Sequence, residues 1–306
     1  MKGRYRLVHA TADELGPFAE GLGRLEAQMT YPLDEGAERF RIDHGPAYHP
    51  FFSQMGPSHF LVALCGEEVV GNLVAVRRTI EVMGAQEAAF YMCDYKIAPE
   101  HRGGELSGRF WAAALRRLAV DRRLWGWRLA YGAAMRGERG DVSRSLRGAH
   151  PGRLFEPAAR LSLYFTPPEA LAALDLSGAP PPPRLDVGLD LSAGAGAGCD
   201  PPGAASTAGR KDLRLESTGA PWPLWHLPTG PRGWGASLGA HLKATAAGLA
   251  GRAGLACFAI DARLDDQRRW LASRGIEPGA VCTIYILGWP GRWRRASWVH
   301  IATSEI

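Results

Sequence analysis

Two widely separated stretches of this chain carry the same local pattern. Residues 100–114 read EHRGGELSGRFWAAA and residues 230–244 read GPRGWGASLGAHLKA, so that Arg102 corresponds to Arg232. In both places a strand-like segment and a proline come before the arginine, and small residues lead into a helical pattern. A further strand and a short helix follow each one. Repetition on this scale predicts two copies of one fold. The alternative is one domain followed by an unrelated α+β tail.

The first half of the chain predicts strands and helices in a definite order. Thr11 followed by Glu14 is a capping box, which marks the start of a helix. Alternation and turn residues predict strands, and apolar residues at helical spacing predict helices. The predicted strands cover 5–10, 59–65, 69–80 with a bulge at Gly71, 87–97, 127–135 and 160–165, and the later helices cover 106–120 and 141–147.

The composition changes between the two halves. Residues 178–211 are rich in Pro, Gly, Ala and Ser, which indicates a linker or an extended segment. We therefore divide the chain into a first domain over 1–177, this linker over 178–211, and a smaller second domain over 212–306. Strands and helices resume after the linker, including a predicted helix over 238–249 and another that Gly275 closes.

Composition excludes several classes of protein. The chain has 306 residues, 46% of them hydrophobic and 22% charged, as in a globular protein. The longest apolar runs are shorter than the roughly 18 residues of a membrane span, and the N-terminus lacks the apolar core of a signal peptide. The five cysteines lack metal-ligand spacing, so no metal site is predicted. We expect a cytoplasmic protein without a membrane partner.

The repeated turn has the chemistry of a phosphate site. A turn that feeds a helix presents free backbone N–H groups and the positive end of the helix dipole. Glycines allow a phosphate to approach the backbone closely. Two phosphates in a row, a pyrophosphate, would suit such a loop. Glu105 lies inside the first loop, and we expect its carboxylate to turn outward, where it favours the helix dipole. The alternative is an ordinary solvated turn that caps a helix.

The repeated segment resembles the coenzyme A loop of the GCN5-related N-acetyltransferase (GNAT) superfamily. In both, a strand and a proline precede an arginine, and a glycine-rich turn leads from it into a helix. The order of elements over residues 5–165 resembles that fold as well. The resemblance implies an α+β fold, a mixed and mainly antiparallel sheet flanked by helices, here duplicated. It also implies acetyl-CoA, or another acyl-CoA, as cofactor. The residues implied in cofactor binding are Ile97, Arg102, Gly103, Gly104, Glu105, Leu106 and Ser107 in the first copy and Arg232, Gly233, Gly235 and Ser237 in the second. Glu105 departs from the family pattern, which has a glycine there.

Asp94 is the candidate catalytic residue. It precedes the first loop on a mostly apolar strand, where the family often has a carboxylate facing the acceptor. Strict alternation would put Asp94 on one face with Met92 and Lys96, opposite Tyr91, Cys93 and Tyr95. A carboxylate in such a strand needs a partner or a function. The alternative to catalysis is a salt bridge with Lys96 or a nearby arginine.

The catalytic acid is not evident from the sequence. The family often has a tyrosine on the helix after the fifth strand, and neither copy has one there. Ser143, Ser145, Tyr131 or water could replace it. His226 is a possible base for the second half, although a packed histidine is the commoner case. Residues 29–56 combine aromatic and acidic side chains, and could form the acceptor wall or a structural loop.

The sequence therefore predicts an acyl-CoA-dependent N-acyltransferase that transfers an acetyl group to a primary amine on a small molecule or peptide. The alternative is a CoA-binding protein without chemistry that derives from a tandem enzyme. A third hypothesis is nucleic-acid binding, suggested by the net charge of +5 and the tryptophans near residues 288–298. We expect that one least. Oligomeric state is left open.

Overall fold

The computed structural model describes residues 5–33, 36–103, 105–135, 154–192, 203–288 and 293–306. The strands in this part of the chain are β1 Tyr5–Thr11, β2 Tyr31–Leu33, β3 Glu38–Asp43, β4 Ser58–Cys65, β5 Glu68–Val82, β6 Ala85–Ile97, β7 Leu129–Met135, β8 Glu156–Thr166, β9 Gly188–Asp190, β10 Ala205–Ser206, β11 Asp212–Leu215, β12 Leu224–His226, β13 Leu255–Asp261, β14 Ala280–Gly288 and β15 Trp298–His300. The α-helices are α1 Gly16–Glu26, α2 Pro50–Met55, α3 Leu106–Val120, α4 Pro168–Ala172, α5 Leu238–Ala247 and α6 Asp265–Ser273. The predicted helix over 141–147 lies outside the described residues.

The first strands form an antiparallel meander, as their alternating sequences predict. β1 pairs with β4, β4 with β5 and β5 with β6. The capping box is present, since the backbone N–H of Thr11 donates to the Glu14 carboxylate over 2.9 Å. The register shifts beside Gly71, as predicted for a bulge. A Cβ atom at Gly71 would lie 2.6 Å from the Phe110 ring, so only glycine fits under α3.

The two halves of the chain share one continuous sheet of 12 strands. Its centre runs β6, β7, β14, β8, β13, β12. β6 and β7 are parallel, and so are β12 and β13. Each half places its last long strand against the other half, because β14 pairs with β7 and β8 pairs with β13. In these six central strands, β6, β7 and β14 therefore correspond to β12, β13 and β8 when the order is followed from the two ends. This is expected for two copies that have exchanged a strand. This arrangement confirms a mixed sheet flanked by helices and is consistent with duplication.

Helices cover both faces of the first half of the sheet. α1 and α2 pack on one face against β4, β5 and β6. α3 packs on the other face, where its Leu118 lines a small cavity together with Phe90 and Met92. Phe90 and Tyr91 are neighbours in β6, and Tyr91 lies on the opposite face, stacked on Tyr131. The candidate site lies on the face that carries α1 and α2.

The predicted linker contains short strands in its described part. β9 pairs with β5 and with β15, which ties residues 188–190 to both halves. A Cβ atom at Gly188 would overlap the Trp298 ring, so the contact with β15 requires glycine. β10 pairs with the edge strand β12. The domain boundaries at 177 and 212 stay a prediction. No helix in the described residues is both long and apolar enough to span a membrane.

The exchanged strand should matter to the stability of the whole chain. Ile284 is fully buried in β14, between Ala133 of β7 and Ala159 of β8. We expect Ile284→Ala to lower the free energy of unfolding by about 2–5 kcal/mol, because it leaves a cavity in the shared sheet. Urea denaturation followed by tryptophan fluorescence measures this. Val120→Ala, at a side chain 65% exposed, is the control and should change stability by no more than about 0.5 kcal/mol. Equal stability of the Ile284→Ala variant and the control would contradict the shared sheet.

Candidate functional site

The candidate site lies where β6 and β7 stop pairing. The two parallel strands pair through Ala89, Phe90 and Tyr91 of β6. Beyond Tyr91 no further β6–β7 pair is formed in the described chain, although β6 continues to Ile97 and β7 to Met135. Within the described residues, the edge of β6 that faces away from β5 therefore has no strand paired to it beyond Tyr91, and its backbone groups need a partner. Parallel strands that separate in this way leave a cleft between their C-terminal ends.

A bulge in β6 changes the face on which Asp94 lies. Asn72 pairs with Lys96 and Val74 pairs with Cys93, so the register slips at Asp94 and Tyr95. Asp94 has a φ of 51°, which is rare for a residue with a side chain. The prediction from strict alternation was therefore wrong here. Tyr95 reaches α3, where its hydroxyl donates to Ser107 over 2.5 Å, whereas Asp94 lies on the α1 and α2 face.

Lys96 is the centre of a buried network of polar side chains. Its ammonium donates to Glu26 over 2.5 Å and to the Tyr48 hydroxyl over 3.1 Å, and it forms an ion pair with Asp94. These three acceptors match the three N–H donors of the group. The side chains of Lys96, Asp94 and Glu26 are between 2% and 6% exposed. The predicted salt bridge between Asp94 and Lys96 is therefore present.

Asp94 receives hydrogen bonds on both carboxylate oxygens. Lys96 contacts Oδ1, while Tyr48 donates to Oδ2 over 2.5 Å and the Asn72 amide donates to the same oxygen over 2.8 Å. Burial alone would raise the pKa of Asp94, but the Lys96 charge and these hydrogen bonds lower it below its ordinary value. The carboxylate is thus ionised at neutral pH and fixed in orientation.

Glu26 connects the network to His44, in the loop between β3 and α2. Its carboxylate accepts from the His44 ring over 2.6 Å and from the His44 backbone N–H over 2.8 Å. Burial would raise the pKa of Glu26, and the His44 hydrogen bond together with the Lys96 charge lowers it. Two carboxylates thus share one ammonium in the interior.

Sequence reasoning missed most of this network. Glu26 lies at the end of an amphipathic helix, and Tyr48 lies in a loop where its φ is 62°. Strained positions of this kind collect at functional sites because surrounding contacts must hold them. Lys96 was considered only as a partner for Asp94. The one usable signal was the pair of charged residues, Asp94 and Lys96, in an otherwise apolar strand.

The same carboxylates form a cluster of candidate metal ligands. Ligand atoms of Glu26, His44 and Asp94 lie within 4.8 Å of one another. The Lys96 ammonium contacts both carboxylates, so the protein supplies its own cation at this place.

The first predicted loop leads from β6 into α3. The Arg102 guanidinium folds back to the Ile97 carbonyl, 2.9 Å away, and to the Met29 sulfur. Gly103 is exposed with a φ of 73°, and a Cβ there would meet nothing within 4 Å. The Glu105 side chain is 60% exposed and approaches Arg109 of the next turn at 3.5 Å, so it turns outward as expected. Gly104 lies outside the described residues.

Leu106 and Ser107 begin α3, and both are turned toward the protein. Leu106 is 1% exposed, and Ser107 accepts the hydrogen bond from Tyr95. Their side chains anchor the helix on the sheet.

The second predicted loop is occupied by contacts within the protein. The Arg232 guanidinium pairs with Glu81 of the first half. Ser237 caps α5 by accepting from the Ala240 N–H over 3.1 Å. Gly235 has a φ of 60° and is exposed, like Gly103. Gly233 ends a short 3-10 turn that starts at Pro231.

The parallel strands of the second half do not separate as β6 and β7 do. Beyond His226, the Leu227 N–H donates to the Cys257 carbonyl over 2.8 Å, and the Thr229 hydroxyl donates to the Ala259 carbonyl over 2.9 Å. The first loop thus adjoins an open pair of strands and the second a closed one.

Tyr131, His226 and the aromatic residues of the segment 29–56 were also candidates, and all of them make contacts within the protein. The Tyr131 hydroxyl donates to the Leu191 carbonyl over 2.9 Å. His226 is buried against Thr303, and burial lowers its pKa to about 3. The aromatic residues Tyr48, Phe51 and Phe52 pack around His44. Ser143 and Ser145 lie outside the described residues.

Removing the central ammonium should destabilise the protein strongly. In Lys96→Met, Glu26 and Asp94 would lose their shared cation in the interior. We expect the free energy of unfolding at pH 7 to fall by about 3–5 kcal/mol. Arg24→Met is the control, because Arg24 pairs with Glu20 on the surface and should contribute no more than about 1 kcal/mol. Chemical denaturation of both variants measures the difference. A small effect at Lys96 would contradict the central role of the ammonium.

The contribution of Asp94 to the stability of the protein should depend on pH. Asp94 has a folded-state pKa below its ordinary value of 3.8, so its ionisation stabilises the fold above pH 3.8. That stabilisation is lost as the pH falls from about 5 through the folded-state pKa. Asp94→Asn should therefore lose less stability than the wild type between pH 5 and pH 3. Urea midpoints at several pH values test this, and parallel pH profiles would count against it.

Comparison with known proteins gives relatives by structure only. No family model and no curated protein matches the sequence. A tandem GNAT protein from the clavulanic acid biosynthesis pathway is similar over 94% of this chain and all of its own, with a TM-score of 0.51 at 14% identity. N-myristoyltransferase of Saccharomyces cerevisiae, solved with myristoyl-CoA, covers 98% of this chain and 90% of its own, at 0.52 and 10% identity.

A GCN5-related N-acetyltransferase of Anabaena variabilis is similar over 92% of this chain and 72% of its own, with a TM-score of 0.50 and 10% identity. At such identities a structural match establishes the fold. The match to a tandem protein over its whole length is consistent with a duplicated fold. The chain has the fold of the GCN5-related N-acetyltransferase superfamily.

Proposed function

We propose that the protein is an acyl-CoA-dependent N-acyltransferase that uses acetyl-CoA to acetylate a primary amine. One observation carries the proposal. A fixed and ionised carboxylate, Asp94, lies on β6 at the point where β6 separates from β7, and the same strand leads into the loop at Arg102. A ligand bound by that loop at one end would thus bring its other end close to Asp94.

The first loop is the proposed pyrophosphate site. Gly103 leaves open space above the backbone, and α3 begins directly after the loop, so the positive end of its dipole faces a phosphate bound there. The Glu105 carboxylate turns away toward Arg109, which keeps its charge off the ligand. The rest of the cofactor would run along the cleft, where the unpaired edge of β6 offers backbone groups for its amide bonds.

Asp94 is the proposed catalytic residue. An amine bound in the cleft donates a hydrogen bond to the carboxylate, and its nitrogen attacks the thioester carbonyl carbon. A carbon–nitrogen bond forms, the carbon–sulfur bond breaks, and the amine proton passes to Asp94 directly or through water. The thiolate then takes a proton from solvent, since Tyr131 is committed to Leu191.

Contacts with Lys96, Tyr48 and Asn72 fix the orientation of this carboxylate. A fixed base needs no reorganisation when the amine arrives. Its low pKa makes it a weak base but keeps it ionised at neutral pH, which suits a residue that must also attract a cationic acceptor. A small molecule and a peptide terminus both remain within this proposal.

The first half is the proposed catalytic unit. In the second half, Arg232 is paired with Glu81, and hydrogen bonds join the strands beyond His226. Binding of a second cofactor at Gly233, Gly235 and Ser237 would require those contacts to break. A CoA-binding protein without chemistry is the alternative, favoured by the lack of a catalytic tyrosine in the family position.

Matched loop variants should identify the cofactor site. Coenzyme A at 100 times its Kd should stabilise the wild type by about 2.7 kcal/mol and raise its Tm. Gly103→Val should abolish this shift, because it fills the space above the loop. Gly235→Val is the control, since Gly235 is equally exposed with a similar positive φ, and it should keep the shift. Loss of the shift only in the control would move the site to the second loop, and no shift in any protein would refute the proposal.

Turnover separates an enzyme from a binding protein. With acetyl-CoA and a panel of primary amines, Asp94→Asn should lower kcat about 10²–10⁴-fold while the coenzyme A shift stays. Glu105→Gln should leave both unchanged, because its side chain points away from the loop. Release of free thiol measures the rate. A CoA shift without turnover in the wild type would favour the alternative function.

A further inference from the structure

A strongly basic surface lies at the far end of α3 from the cofactor loop. Residues 116–128 read RRLAVDRRLWGWR and hold five arginines and one aspartate, a formal charge of +4, whereas the whole chain has +5. Nearly all of the excess charge thus comes from thirteen consecutive residues. The catalytic proposal makes no use of them.

Apolar side chains are exposed within the same stretch. Val120 is 65% exposed and Trp125 is 50% exposed, and they are two of the four large hydrophobic side chains exposed in the described chain. Trp125 already donates its indole N–H to the Ala119 carbonyl over 3.0 Å, so it needs no polar partner outside. What it presents to solvent is apolar ring, with the Arg122 guanidinium 5.9 Å from its centre.

The arginines around this ring are largely free to reach outward. Arg116 and Arg122 are exposed and form no ion pair with a described residue. Arg128 is 73% exposed and only approaches Glu87, at 3.6 Å. Gly288 pairs with Leu129, and Arg294 and Arg295 come later in the chain; both are exposed, and Arg294 pairs with Glu156.

This surface is well separated from the proposed cofactor loop. α3 has 15 residues and is therefore about 22 Å long. The loop at Gly103 precedes its first residue, and the basic surface begins in its last turns and continues past its end. A partner bound here leaves the cleft accessible, which suits attachment rather than substrate binding.

We propose that residues 116–128 dock the protein on an anionic phospholipid surface. Arginines supply attraction to the lipid phosphates, and exposed Val120 and Trp125 enter the interfacial layer, where tryptophan is favoured. Nucleic acid fits less well, because Arg122 already lies against the Trp125 ring on which a base would stack, and an exposed valine has no role in binding phosphate. The expectation of no membrane partner rested on the absence of a spanning segment, and attachment to a membrane surface needs no such segment.

Vesicle binding tests the proposal. The full chain should sediment with vesicles of phosphatidylcholine containing 30 mol% phosphatidylglycerol, and not with phosphatidylcholine alone. Binding should weaken as salt rises from 0.1 M to 0.5 M. The variant Arg122→Gln/Arg128→Gln/Trp125→Ala should bind at least about 25-fold more weakly, since each arginine contributes about fivefold.

A matched variant removes the same charge elsewhere. Arg24→Gln/Arg269→Gln/Leu176→Ala loses two exposed arginines and one exposed apolar side chain from other surfaces, and it should bind like the wild type. Equal weakening of both variants would mean that net charge alone acts, and would overturn the proposal. Absence of binding to the anionic vesicles would overturn it as well. The proposal would also be overturned if the protein bound a single-stranded oligonucleotide more tightly than the vesicles at equal phosphate concentration, and if only Arg122→Gln/Arg128→Gln/Trp125→Ala lost that binding. The Tm of each variant confirms that it is folded.

Discussion

The ammonium of Lys96 is the contact on which the candidate site depends. It joins Glu26 of α1, Tyr48 of the loop between β3 and α2 and Asp94 of β6, and the Glu26, Lys96 and Asp94 side chains are at most 6% exposed. A buried carboxylate without a cation would take up a proton or disturb the fold. Because one ammonium serves two carboxylates, Asp94 stays ionised and α1 stays attached to the sheet through the same group. The stability of the first half and the charge of its proposed base therefore both depend on the Lys96 ammonium.

The bulge in β6 makes this arrangement possible. In a regular strand Asp94 and Lys96 would share the face of Met92, under α3, where the cavity beside Met92 contains no carboxylate among its described lining residues. The register slip moves both charged residues to the face of Glu26 and Tyr48. It costs a left-handed backbone conformation at Asp94, and the hydrogen bonds to Tyr48 and Asn72 stabilise that conformation. Strand shape, network and proposed chemistry thus have a common origin.

Local patterns predicted the fold better than the site. The strands over 5–165, the helix α3 and the capping box depend on periodicity and on residues close in sequence, which one chain reveals. The pairing of β14 with β7 depends on contacts between distant residues, and no local signal shows it. The face of Asp94 was wrong because a bulge breaks the alternation from which the face was inferred. Glu26 was missed because it looks ordinary in its helix. His44 and Tyr48 belong to the segment 29–56, which was a candidate acceptor wall, and only folding brings them to Glu26 and Lys96.

Comparison of the two halves explains why similar loops need not have similar roles. Both loops have an arginine, an exposed glycine with positive φ and a helix that follows. What differs is the pair of strands beside each loop. Beyond His226 the second pair is joined by hydrogen bonds, whereas β6 has no described β7 pair beyond Tyr91 and carries a bulge with a carboxylate. A loop of this kind can hold phosphates wherever it occurs, but a thioester also needs an open cleft and a polar group at its end. The strand before the loop is therefore more informative about function than the loop itself, and Asp94 matters more than Glu105.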